Sequence, residues 1–213
     1  SAASDVYKTQ LYDNTTGREA GYTQQIVSSE SPDLITTSQR SGTTYATNGQ
    51  VTGYTERVRE QGGSEIDHTI TTIRTGGTYD LNRLVHYLDT SFEGTALETG
   101  EGYRENDVDL TFDAATALIT QNDSETTEKV GTTELHVRSV IRSGIAYNSI
   151  GTELNYTEVT LDDNAPDLRQ TVIRTNATAT RGVLESYRET INKVSIGDGG
   201  AARLTTTTAD HIY

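Results

Sequence analysis

Four histidines, thirty-one carboxylates and no cysteine set the reactive chemistry open to this 213-residue chain. His68, His86, His136 and His211 are scattered, with no two at metal-ligand spacing and none in an HExxH arrangement. Each reads as a hydrogen-bonded strand or surface histidine. Two acidic groups, Asp107/Asp109/Asp113 and Asp162/Asp163/Asp167, could offer oxygen ligands to Ca²⁺, and Asp198 lies in a Gly-rich turn. None follows the order of an EF-hand loop, so they read as solvated acidic faces and no metal site is expected. The chain has no GxSxG elbow, no phosphate-binding P-loop and no GxGxxG entering a helix, which removes the usual signatures of hydrolases and nucleotide enzymes. No two carboxylates stand out as a facing pair for glycoside hydrolysis. Without cysteine, disulfides, thiolate metal sites and cysteine nucleophiles are excluded. The expectation is a protein that is not an enzyme and needs no cofactor. Four N-x-S/T sequons, at Asn14, Asn122, Asn155 and Asn176, would carry glycans only on a glycosylating secretory route.

The elements available to position these residues are strands. Only 32% of the residues are apolar, too few for a thick dry core, and the net charge is −14. Such a balance would suggest disorder if β-branched and aromatic residues were scarce. Here there are 38 Thr and 12 Tyr against two Pro, a composition suited to pleated, half-buried surfaces. Val108, Leu110 and Phe112 alternate with Asp107, Asp109 and Thr111, and Leu135 with Val137 continues the two-residue period. No apolar run approaches the roughly 20 residues of a membrane helix, and no outward apolar band of a transmembrane barrel is visible. No membrane insertion is expected. The acidic field disfavours nucleic-acid binding, and an excess of Asp and Glu over three Lys suits concentrated salt, as in a halophilic source. Beginning at Ser1 with no Met, the sequence is expected to follow either initiator removal or proteolytic processing.

An internal repeat organises the chain. Tyr22, Pro32, Asp33, Leu34 and Arg40 recur as Tyr156, Pro166, Asp167, Leu168 and Arg174, and Gly49, Tyr54 and Glu56 recur as Gly182, Tyr187 and Glu189. A shorter shift of 34 residues maps Asp33, Arg40, Tyr45, Asn48 and Val51 onto Asp67, Arg74, Tyr79, Asn82 and Val85. The first aromatic position runs Tyr12, Tyr45, Tyr79, Phe112 and Tyr147, with Ala179 as a degenerate sixth. A second Tyr follows at Tyr22, Tyr54, Tyr87, Tyr156 and Tyr187 and is missing from the unit around Phe112.

Gly and Asn cluster between the two aromatic positions, so each unit predicts two strands around a tight turn. The pairs Tyr22/Ile26, Tyr54/Val58 and Tyr187/Ile191 share a strand face and predict a recurring core stripe. Segments 81–88 and 183–194 fall on strand positions of the repeat, and Pro32 and Pro166 mark strand entrances. The predicted fold is all-β, an antiparallel meander of about six tandem hairpins of ~33 residues, arranged as a sandwich or an open barrel. Residues 1–194 form the repeat domain, with two related halves at 1–105 and 106–194. Residues 195–213 form a Gly/Thr-rich arm.

The segments YDNTTGREAGYT, from Tyr12, and YATNGQVTGYT, from Tyr45, resemble the YD repeats of RHS-type proteins, in which Tyr-Asp precedes a Gly-containing hairpin turn and a second Tyr follows. Tyr79-Asp80 and Phe112-Asp113 keep the dipeptide without the turn glycine, and Tyr147-Asn148 loses the Asp. The resemblance implies hairpins in a continuous meander and assigns no active residue.

The functional expectation is a non-enzymatic structural protein that self-assembles as a homo-oligomer with other virion or surface proteins. It would be a tail tube or other tail or surface component of a virus, including one infecting a halophile, located in the virion or at the cell surface. One alternative is a secreted filament or adhesin subunit whose Thr-rich arm donates a strand to its neighbour. Another is a carbohydrate-binding β module, suggested by the Tyr content.

Overall fold

A computed structural model of the chain describes residues 4–28, 31–63, 66–196 and 202–213. Thirteen strands follow one another: β1 (Ser4–Tyr12), β2 (Glu19–Ser28), β3 (Ser31–Tyr45), β4 (Val51–Gly62), β5 (Ile66–Asp80), β6 (Arg83–Glu93), β7 (Gly102–Phe112), β8 (Ile119–Val130), β9 (Thr133–Tyr147), β10 (Glu153–Asp162), β11 (Leu168–Thr180), β12 (Val183–Ile196) and β13 (Ala202–Ile212). Each pairs with its sequence neighbours in a single sheet of order β1 to β13. The expected all-β antiparallel meander is therefore what forms, as one sheet that does not close. Six hairpins, β1–β2 through β11–β12, match the six repeat units, and β13 stands alone after them. No helix occurs among the described residues, so none is long and apolar enough to cross a membrane. The chain divides into two units, one of residues 1–106 with 128–133 and one of 107–127 with 134–213.

The turns follow from the residues between the aromatic positions. In the β1–β2 turn the Asp13 carboxylate accepts hydrogen bonds from Thr15 N, Thr16 N and Thr16 Oγ1 at 3.0, 2.6 and 2.8 Å. Asp113 does the same at the β7–β8 turn with Ala115 N, Thr116 N and Thr116 Oγ1 at 3.1, 2.7 and 2.8 Å. The Asp after the aromatic residue is thus a turn-former, because its short side chain satisfies backbone donors that the bend leaves open. The missing glycine at Phe112 is replaced by a strained residue, since Ala117 takes φ +60° where Gly17 takes +68°. At the β5–β6 turn Leu81 and Asn82 both take positive φ, the demand of a two-residue hairpin loop. Segment 183–194 lies within β12, and segment 81–88 starts in this turn and continues into β6. Pro166 lies two residues ahead of β11, and Pro32 is the second residue of β3.

Burial is thin. Among the described residues the buried apolar side chains are Phe92, Val108 and Ile145. The chain exposes 13451 Å², whereas a folded monomer of this size exposes roughly 9,700 Å². Val108 is buried while Asp107 and Asp109 are exposed, as the alternation predicted, but Leu135 is 58% exposed. Thr71 is the most deeply buried polar residue. Its hydroxyl donates to Gly94 O at 2.6 Å, where the β6–β7 connection folds back over unit 1. Arg57 Nη2 donates to Thr95 O of the same connection at 3.1 Å. The arm reads differently on each side of residue 201: residues 197–200, including Asp198, lie outside the described residues, and the Thr-rich strand β13 pairs with β12 of its own chain.

Candidate interaction surface

The repeat places arginine, tyrosine and carboxylate in fixed cross-strand register. In unit 1, Arg40 of β3 lies opposite Tyr22 of β2 on one side and Glu56 of β4 on the other. Arg74 of β5 lies opposite Tyr54 of β4 and Asp89 of β6. In unit 2, Arg174 of β11 lies opposite Tyr156 of β10 and Glu189 of β12. Tyr and acid are two residues apart on the same even strand, so they share a face and point at the arginines of both neighbouring odd strands. β3, β5, β9 and β11 supply an arginine, and β4, β6, β10 and β12 supply Tyr-x-acid.

The side chains stack accordingly. Lys8 Nζ sits 4.3 Å from the Tyr22 ring centre, and the Arg40 guanidinium lies 5.1 Å from Tyr22 and 3.9 Å from Tyr54. Arg74 lies 5.3 Å from Tyr54 and 3.9 Å from Tyr87. In unit 2, Arg142 and Arg174 lie 4.2 and 4.4 Å from Tyr156, Arg174 lies 5.5 Å from Tyr187, and Tyr187 stacks on His211 with ring centres 4.5 Å apart. These distances suit cation–π attraction. Ion pairs run through the same rows: Arg40–Glu56 at 3.3 Å, Arg74–Asp89 at 2.7 Å and Arg142–Glu158 at 2.7 Å. Arg174 departs from its register partner and pairs with Glu153 at 2.5 Å. Hydrogen bonding to Asp89 holds the Arg74 guanidinium above its ordinary pKa.

Two features fix this ladder. After each ladder arginine the odd strand carries a left-handed residue, Gly42, Gly76, Gly144 or Asn176, with φ between 55° and 66°. In β3, β5 and β11 the register to the next strand shifts across that residue, the mark of a bulge. Second, the first aromatic residue reaches back one hairpin, Tyr45 Oη donating to Glu19 O at 2.5 Å and Tyr79 Oη to Val51 O at 2.6 Å. Adjacent hairpins are thereby latched at their turn ends.

Comparison with known proteins adds no relative. No family model, no curated protein and no solved structure matches this chain. What the surface can do has to be read from its own chemistry.

The sequence-identified residues are dispersed around the ladder. Asn14 is exposed in the β1–β2 turn and Asn176 is exposed at the β11 bulge. Asn155 is half-buried in β10 and accepts from Ala177 N at 3.3 Å, while Asn122 is half-buried in β8 with its Oδ1 shielded and unpartnered among the described residues. His68 faces Glu93 at 3.4 Å, and His86 lies on β6. His136 meets Asp162 at 2.8 Å and Asp163 at 3.6 Å, within a group whose ligand atoms lie within 4.8 Å of one another. The His136 hydrogen bond holds the Asp162 carboxyl below its usual range. That contact accounts for the proximity of the three. Asp167 lies in the turn before β11, and Asp107 and Asp109 are exposed on β7. On the other face of unit 1 an open groove of about 630 Å³ is lined by polar groups that include the Arg59–Asp67 pair.

The tyrosine stripe that sequence reading took for core is a stack on guanidinium groups. The signal was present: Arg40, Arg74, Arg142 and Arg174 each stand five residues before the first aromatic position, and Tyr54, Tyr87, Tyr156 and Tyr187 each precede an acid by two.

One consequence is measurable by titration. Desolvation and the hydrogen bond it donates to Glu56 at 2.5 Å push the Tyr22 phenol up to about 12. A raised folded-state pKa means the neutral phenol favours the fold. Its contribution is complete below pH ~10, the unfolded value, and is lost as pH rises toward about 12. Absorbance titration of the wild type against Tyr22→Phe should show one phenol ionising late, together with an alkaline loss of stability that the variant lacks. Equal titration curves, apart from one ordinary tyrosine, would remove this account.

Proposed function

We propose that the chain is a non-enzymatic structural subunit whose sheet is completed by self-assembly, and that the assembly is a virion tail or surface component. The observation that carries the structural reading is the open, thinly buried sheet: among the described residues, three buried apolar side chains support thirteen strands whose two outermost members have one unpaired backbone edge each. Open edges of this length template pairing with another chain unless blunted by Pro, bulges or lysine. β1 carries one Lys and β13 none, and neither contains Pro.

The ladder supports a structural role for the repeat, because its arginines and tyrosines answer one another within the chain. The acid excess supports a setting in concentrated salt, where screening removes self-repulsion between subunits. Strand donation by β13 is less favoured, since eleven register pairs and the Arg188–Asp210 ion pair hold it to β12.

Sedimentation and negative-stain microscopy from low to multimolar salt test the proposal. Rings, tubes or filaments that grow with salt are expected. A chain that stays monomeric at high concentration across that range sinks it.

A further inference from the structure

β13 supplies half a repeat, the strand that would carry the cation. Arg40, Arg74 and Arg174 each have a tyrosine opposite them on the preceding strand and an acid opposite them on the following strand. His211 of β13 occupies the same register position. It lies opposite Tyr187 and stacks on that ring at 4.5 Å, as the arginines stack on theirs. Among the described residues no strand pairs with the outer edge of β13, and the His211 Nε2 atom is shielded without a hydrogen-bond partner. The rest of β13 suits pairing. Leu204 and Ile212 are 64% and 85% exposed, the four threonines between them are exposed, and Asp210 is held on the Arg188 side by a bidentate pair at 2.7 and 3.0 Å.

We infer that the free edge of β13 is a docking site for an antiparallel strand of another polypeptide carrying Tyr-x-Glu or Tyr-x-Asp, with the acid opposite His211. Along the chain, β3, β5 and β11 each receive this chemistry from the next strand, as Tyr54-x-Glu56, Tyr87-x-Asp89 and Tyr187-x-Glu189. Backbone pairing along the edge supplies affinity, and the Tyr-x-acid pair against His211 sets register. This goes beyond self-assembly, since the incoming strand need not come from a second copy. Peptide binding by a strictly monomeric chain would keep the inference while removing the assembly proposal.

The test uses the full chain and a synthetic peptide of the β4 sequence VTGYTERVREQG. Saturable binding is expected, and changing the peptide's tyrosine to Ala and the following acid to Gln should weaken it roughly tenfold. In the protein His211→Arg, which places there the arginine of β3, β5, β9 and β11, should tighten binding roughly fivefold, and His211→Ala should weaken it. The absence of cysteine permits a direct reading of register. With the acid opposite His211, a peptide cysteine at its Val58 position faces Ala209→Cys and should crosslink far faster than one at its Glu60 position. No saturable binding, equal binding of the altered peptide, no gain from His211→Arg, or crosslinking without register preference would each overturn the inference.

Discussion

Replacing Arg74 by alanine is expected to cost about 3 kcal/mol of folding stability. The guanidinium lies between the Tyr54 and Tyr87 rings and donates twice to Asp89, at 2.8 and 2.7 Å. Both members of the ion pair are mostly withdrawn from water, with side chains 21% and 17% exposed. Truncation therefore leaves the Asp89 carboxylate half-desolvated without its countercharge and strips two rings of their stacked partner, losses that act in the same direction. Arg59–Asp67 is the internal control. Its geometry is equally short and bidentate, but its side chains are 46% and 60% exposed. Arg59→Ala should cost only a small fraction of the Arg74 effect, because solvent already screens that pair. The double variant Arg74→Met/Asp89→Leu should recover most of the loss, since no orphaned charge remains. Urea denaturation of the four proteins decides. Equal costs for Arg59→Ala and Arg74→Ala would show that the stacked environment contributes nothing.

The fold was largely legible because its turns are written in short local codes. Asp13, Asp113 and Asn148 accept from the turn backbone with their side-chain Oδ1 atoms, so an Asp or Asn after the aromatic residue marks a hairpin. The alternation at Val108 to Phe112 likewise survives into burial. The number of sheets was less legible. With one residue in three apolar, an alternating strand looks the same whether its apolar face meets a second sheet or only its neighbours' side chains. The ladder was illegible for a different reason. Glu56 meets Arg40 across a bulge that advances the register of β3 against β4, so the partner on the next strand cannot be found by counting outward from the turn.

The worn unit illustrates the converse. Five residues before Phe112, where the units at Tyr45, Tyr79, Tyr147 and Ala179 carry arginine, stands Asp107, and Asn122 stands ten residues after it, as Tyr22 does after Tyr12. Both ladder components are lost together, which is what a pairwise interaction demands: a cation without its ring, or a ring without its cation, would keep only a desolvation cost. The ladder accordingly has one segment in each unit.

The ladder's backbone spacing leads to the second large effect. Gly21→Ala is expected to destabilise the chain by about 3 kcal/mol, at the upper end of what an overpacked methyl group costs. Gly21 is buried, and a Cβ built there would lie 2.2 Å from Arg40 O, 3.0 Å from Arg40 C and 3.2 Å from Ser41 Cα. All three are backbone atoms, so no side-chain rotation can relieve the clash. β2 and β3 must separate where Tyr22 faces Arg40. The same logic applies at Gly53, 2.6 Å from Arg74 O. The local consequence separates this from generic destabilisation. Moving the Arg40 backbone disturbs the contacts that Tyr22 and Arg40 both make with Glu56, so the Tyr22 phenol should fall from about 12 back toward its ordinary value. The residue before the ladder tyrosine is Asn155 in β10 and Ser186 in β12, positions where the chain itself carries a side chain. Asn155→Ala should therefore cost only the hydrogen bond from Ala177 N, well below the Gly21→Ala effect. If Gly21→Ala folded with wild-type stability and an unshifted Tyr22 titration, the close approach of β2 to β3 would not be what sets the ladder.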